Sequence, residues 1–304
     1  MNNILHIGFS KCASSWLQSV FKSLNDSFFY IEKSHFFSPL YINKYKKYSD
    51  YFVNAKENQI CIESDEHIIL PDYCNELNTH GTKLESVDKV FKKIKNEISE
   101  TKIILVIRNH KSLIVSRYSQ YIVSGGNYKF DRFFNIINGK EISMDYFQNY
   151  YGKIIQSLYN IFKKENVHII LQEELFTNKE IEFSKLMDFI GSQTRVYSMN
   201  IFNQRKGLSI FGLMVLRWIN SFIVIEKESI KNPIKTLIPR FIYSYFLVRL
   251  IRLIDFYFFR LRKFNAINLI NSSHNKYLSK KFKEDNYLLS KILNKPLDNL
   301  GYII

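Results

Sequence analysis

The chain has 304 residues, 46% of them hydrophobic and 16% aromatic, enough to bury one large core or two small ones. A disordered chain, a collagen-like fibre and a disulfide-stapled miniprotein are thereby excluded. Three cysteines, Cys12, Cys61 and Cys74, without CxxC or Cys/His ligand spacing, argue against a disulfide framework or structural zinc site and favour a reducing compartment. The net charge of +15 is uneven: residues 1–204 carry +3 and residues 205–304 carry +12. Part of the lysine excess is what an AT-rich genome would encode; the rest offers a surface to nucleic acid, anionic lipid or an anionic substrate.

The N-terminal apolar run is about five residues long, too short for the apolar region of a signal peptide, so a cytosolic protein is expected. Ile4–Ile7 reads as a strand. Directly after it stands Gly8-Phe9-Ser10-Lys11-Cys12-Ala13-Ser14-Ser15-Trp16-Leu17, opening a helix over Ser14–Leu24. Free backbone N–H groups at a helix start, with Lys11 adding a full charge, suit an anion. The alternative is an ordinary strand, turn and helix with a serine cap. Because no Gly-Lys-Ser/Thr follows, the loop is not a Walker A motif, which weighs against a nucleotide triphosphatase.

A second strand is expected at Ile60–Ile62, followed by Glu63 and Glu66, then a helix over Leu84–Glu100 and a buried strand at Ile103–Ile107. Arg108 and Asn109 follow at its carboxyl end, where open α/β sheets bind ligands. In a helix over Ser112–Ser124, Ser116 lies one turn in and, with Arg108, could grip one phosphate. Helices over Met144–Glu165 and Ile181–Ile190, the latter ending at Gly191, flank a fourth strand at Val167–Leu171. This alternation predicts an α/β fold: a P-loop-like parallel sheet flanked by helices, with a mainly helical C-terminal extension. Residues 1–204 form the core, and 205–304 form a basic extension packed on or completing it.

With both loops in view, the chain resembles the sulfotransferases that use 3′-phosphoadenosine 5′-phosphosulfate (PAPS). Gly8 to Leu17 resembles their GxPKxGTTWL motif, and Arg108 to Tyr118 resembles RNPxDxxxSxY. Glu32 to Phe37 resembles KExHFF, Ile169 to Leu175 a strand ending in EDL, and Leu186 to Gly191 the LxxFLG helix end. The resemblance covers about residues 3–200. Ala13 departs from the loop glycine, which is tolerable only if that position keeps a negative φ.

The resemblance implies that Lys11 sits on the bridging oxygen of the phosphosulfate while Cys12, Ala13, Ser14, Ser15 and Trp16 hold the 5′-phosphate. Arg108 and Ser116 would bind the 3′-phosphate, without a metal. A hydroxyl acceptor needs a base; Glu32 and His35 are the candidates, with Glu63 and Glu66 behind them. Arg205-Lys206-Gly207 resembles the element with which some members cover the 3′-phosphate, and is equally readable as a solvated basic turn. The implied acceptor is a sugar hydroxyl of a cell-surface glycan precursor. The competing readings are an ATP-dependent kinase and a basic module binding membrane or nucleic acid; nucleic acid is not the expected partner.

Within the basic third, Arg240–Phe264 on a 100° wheel sets Tyr243, Phe246, Leu247, Leu250, Leu253, Ile254, Tyr257, Leu261 and Phe264 on one arc. Arg240, Arg249, Arg252, Asp255, Arg260, Arg262 and Lys263 lie on the other. Such a basic, aromatic helix suits an anionic membrane surface at the inner face of the membrane, or else packs its apolar arc on the core.

Overall fold

Five strands, β1 (Asn3–Gly8), β2 (Phe28–Glu32), β3 (Ile60–Asp65), β4 (Thr101–Ile107) and β5 (Val167–Leu171), form an all-parallel sheet in the order β2-β3-β1-β4-β5. The computed structural model describes residues 3–9, 11–24, 28–32, 54–56, 59–65, 83–138, 150–192, 207–226, 235–236, 242–259 and 266–304. Ile4, Leu5 and Ile7 of β1 and Ile103 to Ile107 of β4 are buried on both faces, which is why these strands read as nearly unbroken apolar runs. β2, which the apolar pattern does not predict, pairs among the described residues with β3 alone. From β1 the chain builds β3 and β2 on one side and β4 and β5 on the other, so the β1–β4 boundary is the switch point of the sheet. Gly8 pairs with Val106 and Ile107 with Leu171, so the carboxyl ends of β1, β4 and β5 finish at nearly the same level.

Among the described residues the α-helices in chain order are α1 (Ser14–Ser23), α2 (Lys83–Glu97), α3 (His110–Val123), α4 (Phe130–Asn138), α5 (Tyr151–Phe162), α6 (Gln172–Thr177), α7 (Lys179–Ile190), α8 (Ile210–Ile223), α9 (Val248–Ile254) and α10 (Ser272–Leu293). The chain divides into two compact units. One comprises Met1–Asn109, Gln148–Gln204 and Lys281–Ile304; the other comprises His110–Phe147 and Arg205–Lys280. The change of composition at 204/205 is one crossing between them, but Lys281–Ile304 groups with the sheet rather than with the rest of the basic third. An ion pair between Lys295 and Glu174 at 2.6 Å and a hydrogen bond from Asn286 to the Ile303 carbonyl help hold that segment.

In the sheet unit, α1 buries Leu17, Val20 and Phe21, spaced three and four apart as one helical face requires. The start of α5 is capped from α10: Asp285 accepts the backbone N–H of Gly152 at 2.9 Å and of Lys153 at 3.0 Å. A Cβ on Gly152 would stand 2.5 Å from the Asp285 carbonyl, so only glycine permits this approach.

In the second unit, Asp255 caps α8 by accepting the Ser209 N–H at 2.9 Å and bonding the Ser209 hydroxyl. Asn220 of α8 donates to the carbonyls of Ile122 and Gly126, both at 2.8 Å, and accepts the Tyr243 hydroxyl. The expected Arg240–Phe264 helix is α only over α9, with π-helical turns at Tyr243–Leu247 and Asp255–Phe259. A π turn advances less than 100° per residue, so the wheel misplaces side chains. Asp255, set on the solvated arc, is buried, whereas Phe246, Leu250, Leu253 and Tyr257 of the apolar arc are exposed. Residues 240–241 and 260–264 lie outside the described residues. No helix among the described residues is long and apolar enough to cross a membrane.

Candidate functional site

The carboxyl end of β1 leads into a turn held from inside by Phe9 and Cys12, both buried. Phe9 packs edge-on against Tyr151, and the Cys12 N–H donates to the Phe9 carbonyl at 3.2 Å. Lys11 and Ala13 are both left-handed, at φ 73° and 63°, while Cys12 between them and Ser14 after them are not. Alternating handedness turns successive backbone N–H groups toward one side, the geometry of an anion-binding nest. The expectation that Ala13 keeps an ordinary negative φ is therefore corrected. The residue takes up the conformation for which glycine is better suited, at a cost of about 1–2 kcal/mol for an L-residue.

The first bonds of α1 run from the Trp16 and Leu17 N–H groups to the Ala13 carbonyl, leaving the amides of Ala13, Ser14 and Ser15 ahead of the helical ladder. Ser14 is 3% exposed, and its hydroxyl has no hydrogen-bond partner among the described residues. A buried hydroxyl is normally satisfied. An orphaned one beside open amides at a helix start, with the lysine on the same turn, fits a phosphate or sulfate oxygen. Ser15 is exposed, and Lys11 and Trp16 are half-buried.

Arg108 follows β4, and its Nη1 donates to the Lys11 carbonyl at 3.1 Å, so the arginine braces the left-handed turn as well as standing beside it. Burial pushes its guanidinium below its usual value, opposed by Cys12, Glu173, Tyr151 and Tyr302. Asn109 is fixed by Glu173 in the first turn of α6: Glu173 Oε1 accepts the Asn109 backbone N–H at 3.0 Å and its side-chain amide at 2.8 Å. That amide also donates to the Leu300 carbonyl at 3.1 Å, and the Tyr302 hydroxyl donates to Glu173 Oε2 at 3.4 Å. Burial raises the Glu173 carboxyl, against the pull of these hydrogen bonds and of Arg108. It also raises the Tyr302 phenol far above its ordinary range.

Of the residues read from sequence, Lys11 to Trp16 and Arg108 come together at the β1–β4 switch point. Ser116 lies on α3 in the second unit, half-buried; since α3 begins at His110, it sits deeper than the one turn expected. Glu63 lies inside β3, fully buried, and is not presented at the sheet end. Glu32 closes β2, but its side chain lies outside the described residues, as do His35, Glu66, Arg205 and Lys206. In the sequence Glu173 is marked only by the EDL-like segment at the end of β5, and no motif marks Tyr302.

The sulfotransferase domain family matches residues 2–214 of the chain. No curated protein matches it by sequence. Among solved structures, a sulfotransferase from Alicyclobacillus acidocaldarius is 12% identical, with 99% of each chain covered and a TM-score of 0.58. The mouse sulfotransferase SULT7A1, solved in complex with PAP, is 15% identical over 93% of this chain and 84% of that one, with a TM-score of 0.47. At such identity the first likeness is one of fold: a P-loop-like parallel sheet flanked by helices.

Proposed function

The chain belongs to the sulfotransferase domain family, and on that premise we propose that it moves the sulfuryl group of PAPS to a sugar hydroxyl of a cell-surface glycan precursor presented at the inner face of the membrane. The observation that carries the donor is the left-handed turn at Lys11 and Ala13 next to the buried Ser14 hydroxyl, which has no partner among the described residues.

The amides of Ala13 to Ser15 and the Ser14 hydroxyl hold the 5′-phosphate. Lys11 donates to the bridging oxygen, neutralising the charge that builds there as the sulfur–oxygen bond breaks. Arg108 takes the 3′-phosphate in a bidentate, charge-assisted grip, with Ser116, on the strength of the motif spacing, as its second donor. Arg205 and Lys206 add positive charge over that phosphate. The acceptor oxygen bonds to sulfur, its proton passes to Glu32 or His35, and adenosine 3′,5′-bisphosphate leaves.

The test is the product mass after incubation with PAPS and a panel of glycans, repeated with Lys11→Ala. A gain of one sulfuryl group on a glycan, lost in the variant while adenosine 3′,5′-bisphosphate still binds, supports the reading. Near-normal turnover by the variant removes the mechanism. Calorimetry in which ATP binds more tightly than the bisphosphate removes the donor.

A further inference from the structure

Helix α8 is committed on one side only. Gly212, Leu213, Leu216 and Asn220 are buried, and Asn220 ties the helix to the end of α3. On the opposite side Trp218 and Phe222 are each 64% exposed, with their rings 4.8 Å apart, and Met214 is exposed beside them. The Tyr243–Phe259 segment repeats this division: Tyr243, Val248, Ile251 and Asp255 are buried, whereas Phe246, Leu250, Tyr257 and Phe258 are 58–67% exposed. α8 and α9 pack on one another in this unit. Soluble monomers rarely leave so many large apolar side chains in water.

Charge selects the occupant. Over residues 207–223 and 242–259 the one acidic residue is Asp255, which is buried and spent on capping α8. The ionic groups on the outside are Arg249 and Arg252, both exposed, with Arg217 half-buried. A second copy would bring the same arginines with no carboxylate to meet them. Large rings with arginines and no acid suit the boundary between acyl chains and anionic headgroups.

We propose that α8 and the Tyr243–Phe259 segment form one platform that docks on anionic bilayers, with Trp218 and Phe222 seated among the upper acyl chains and Arg249 and Arg252 among the headgroups. The inference rests on the reading that the acceptor is presented at a membrane, and goes beyond it in making α8 the anchor.

The experiment uses the full chain with vesicles of phosphatidylcholine alone or with one-third phosphatidylglycerol, and brominated lipid as a depth probe. Trp16 and Trp218 are the two tryptophans, so quenching of wild type that disappears in Trp218→Phe reports Trp218. Expected are co-sedimentation with anionic vesicles and quenching in the wild type, and loss of co-sedimentation in Trp218→Ser/Phe222→Ser at an unchanged melting temperature. Arg249→Gln/Arg252→Gln should bind roughly 30-fold more weakly, the effect of removing two headgroup-range charges. No binding by wild type, full binding by the arginine variant, or a dimer in solution that Trp218→Ser/Phe222→Ser dissolves would each overturn the proposal. Binding of adenosine 3′,5′-bisphosphate, measured without vesicles, reports the sulfotransferase reading separately: its loss with docking intact would sink that reading alone.

Discussion

Glu173 accepts both donors of Asn109 on a single carboxylate oxygen, the backbone N–H at 3.0 Å and the side-chain amide at 2.8 Å. The residue next to Arg108 is therefore held from a different strand end, and the direction in which the arginine leaves β4 depends on a carboxylate 65 positions downstream of it. Glu173→Ala strands two donors in a buried setting and should destabilise the fold by about 1–3 kcal/mol, read by urea denaturation. Affinity for adenosine 3′,5′-bisphosphate should fall with it. Unchanged affinity in a folded Glu173→Gln would show that Arg108 is placed without this clamp. Because burial raises the native carboxyl above its unfolded value, the native state holds that proton more tightly. Its contribution is present at acid pH and lost as pH rises through the raised value, and that slope should vanish in Glu173→Gln.

Arg108→Ala should weaken adenosine 3′,5′-bisphosphate far more than adenosine 5′-monophosphate. A charge-assisted bidentate contact is worth roughly 1.5–3 kcal/mol, about 10- to 150-fold. Calorimetry with both ligands decides; equal losses would mean that Arg108 does not read the 3′-phosphate. Since its Nη1 also braces the Lys11 carbonyl, a smaller common loss is expected on top.

Ala13→Gly should stabilise the protein. At φ 63° alanine carries left-handed strain that glycine escapes. After the larger unfolded-state freedom of glycine is subtracted, a gain of up to about 1 kcal/mol remains. Chemical denaturation of the pair provides the measurement, and a loss of stability would mean that the turn is not left-handed at this residue.

His168, stacked on Phe189 at 5.0 Å, is lowered by burial to about 4 from an ordinary 6.5; Glu182 pulls it up, and Lys185 and Lys295 push it further down. Unfolding lets it take up a proton at the ordinary value. Between 6.5 and about 4 the unfolded state binds more protons, so stability should fall as pH drops through that window. His168→Gln should flatten that part of the profile, and an NMR titration should find the ring neutral at pH 6. A ring that titrates at its ordinary value would refute the assignment.

β1 and β4 are legible because double-sided burial writes them as apolar runs, and β3 and β5 because the short β-branched stretches Ile60–Ile62 and Val167–Leu171 mark them. β2 is not, because an edge strand in which Phe29, Tyr30 and Ile31 stay half-exposed carries no such contrast. The Gly8–Trp16 turn and Arg108 are legible because the chemistry of a phosphate site is concentrated in short segments at strand ends. The handedness of Ala13 is not, since a residue other than glycine normally signals the opposite. The hold of Glu173 on Asn109, and of Asn109 on Leu300, spans 64 and 191 positions, which no local periodicity records. The wheel over Arg240–Phe264 puts Tyr243 on the same arc as Phe246 and Leu250, and it cannot foresee that the π turns bury Tyr243 and Asp255 and leave Phe246 and Leu250 exposed.

The grouping of Lys281–Ile304 with the sheet bears on how the protein is made. On the ribosome β1, β4 and their loops emerge early, yet the Asn109 amide reaches its carbonyl partner only after Leu300 has been synthesised, and Glu173 its phenol only after Tyr302. Closure across such a separation is slow compared with helix formation. A nascent chain can thus form the central strands while the tip of β4 still lacks partners. Until the segment through Tyr302 has been made, Asn109 and Glu173 each lack one of the partners that hold the tip of β4.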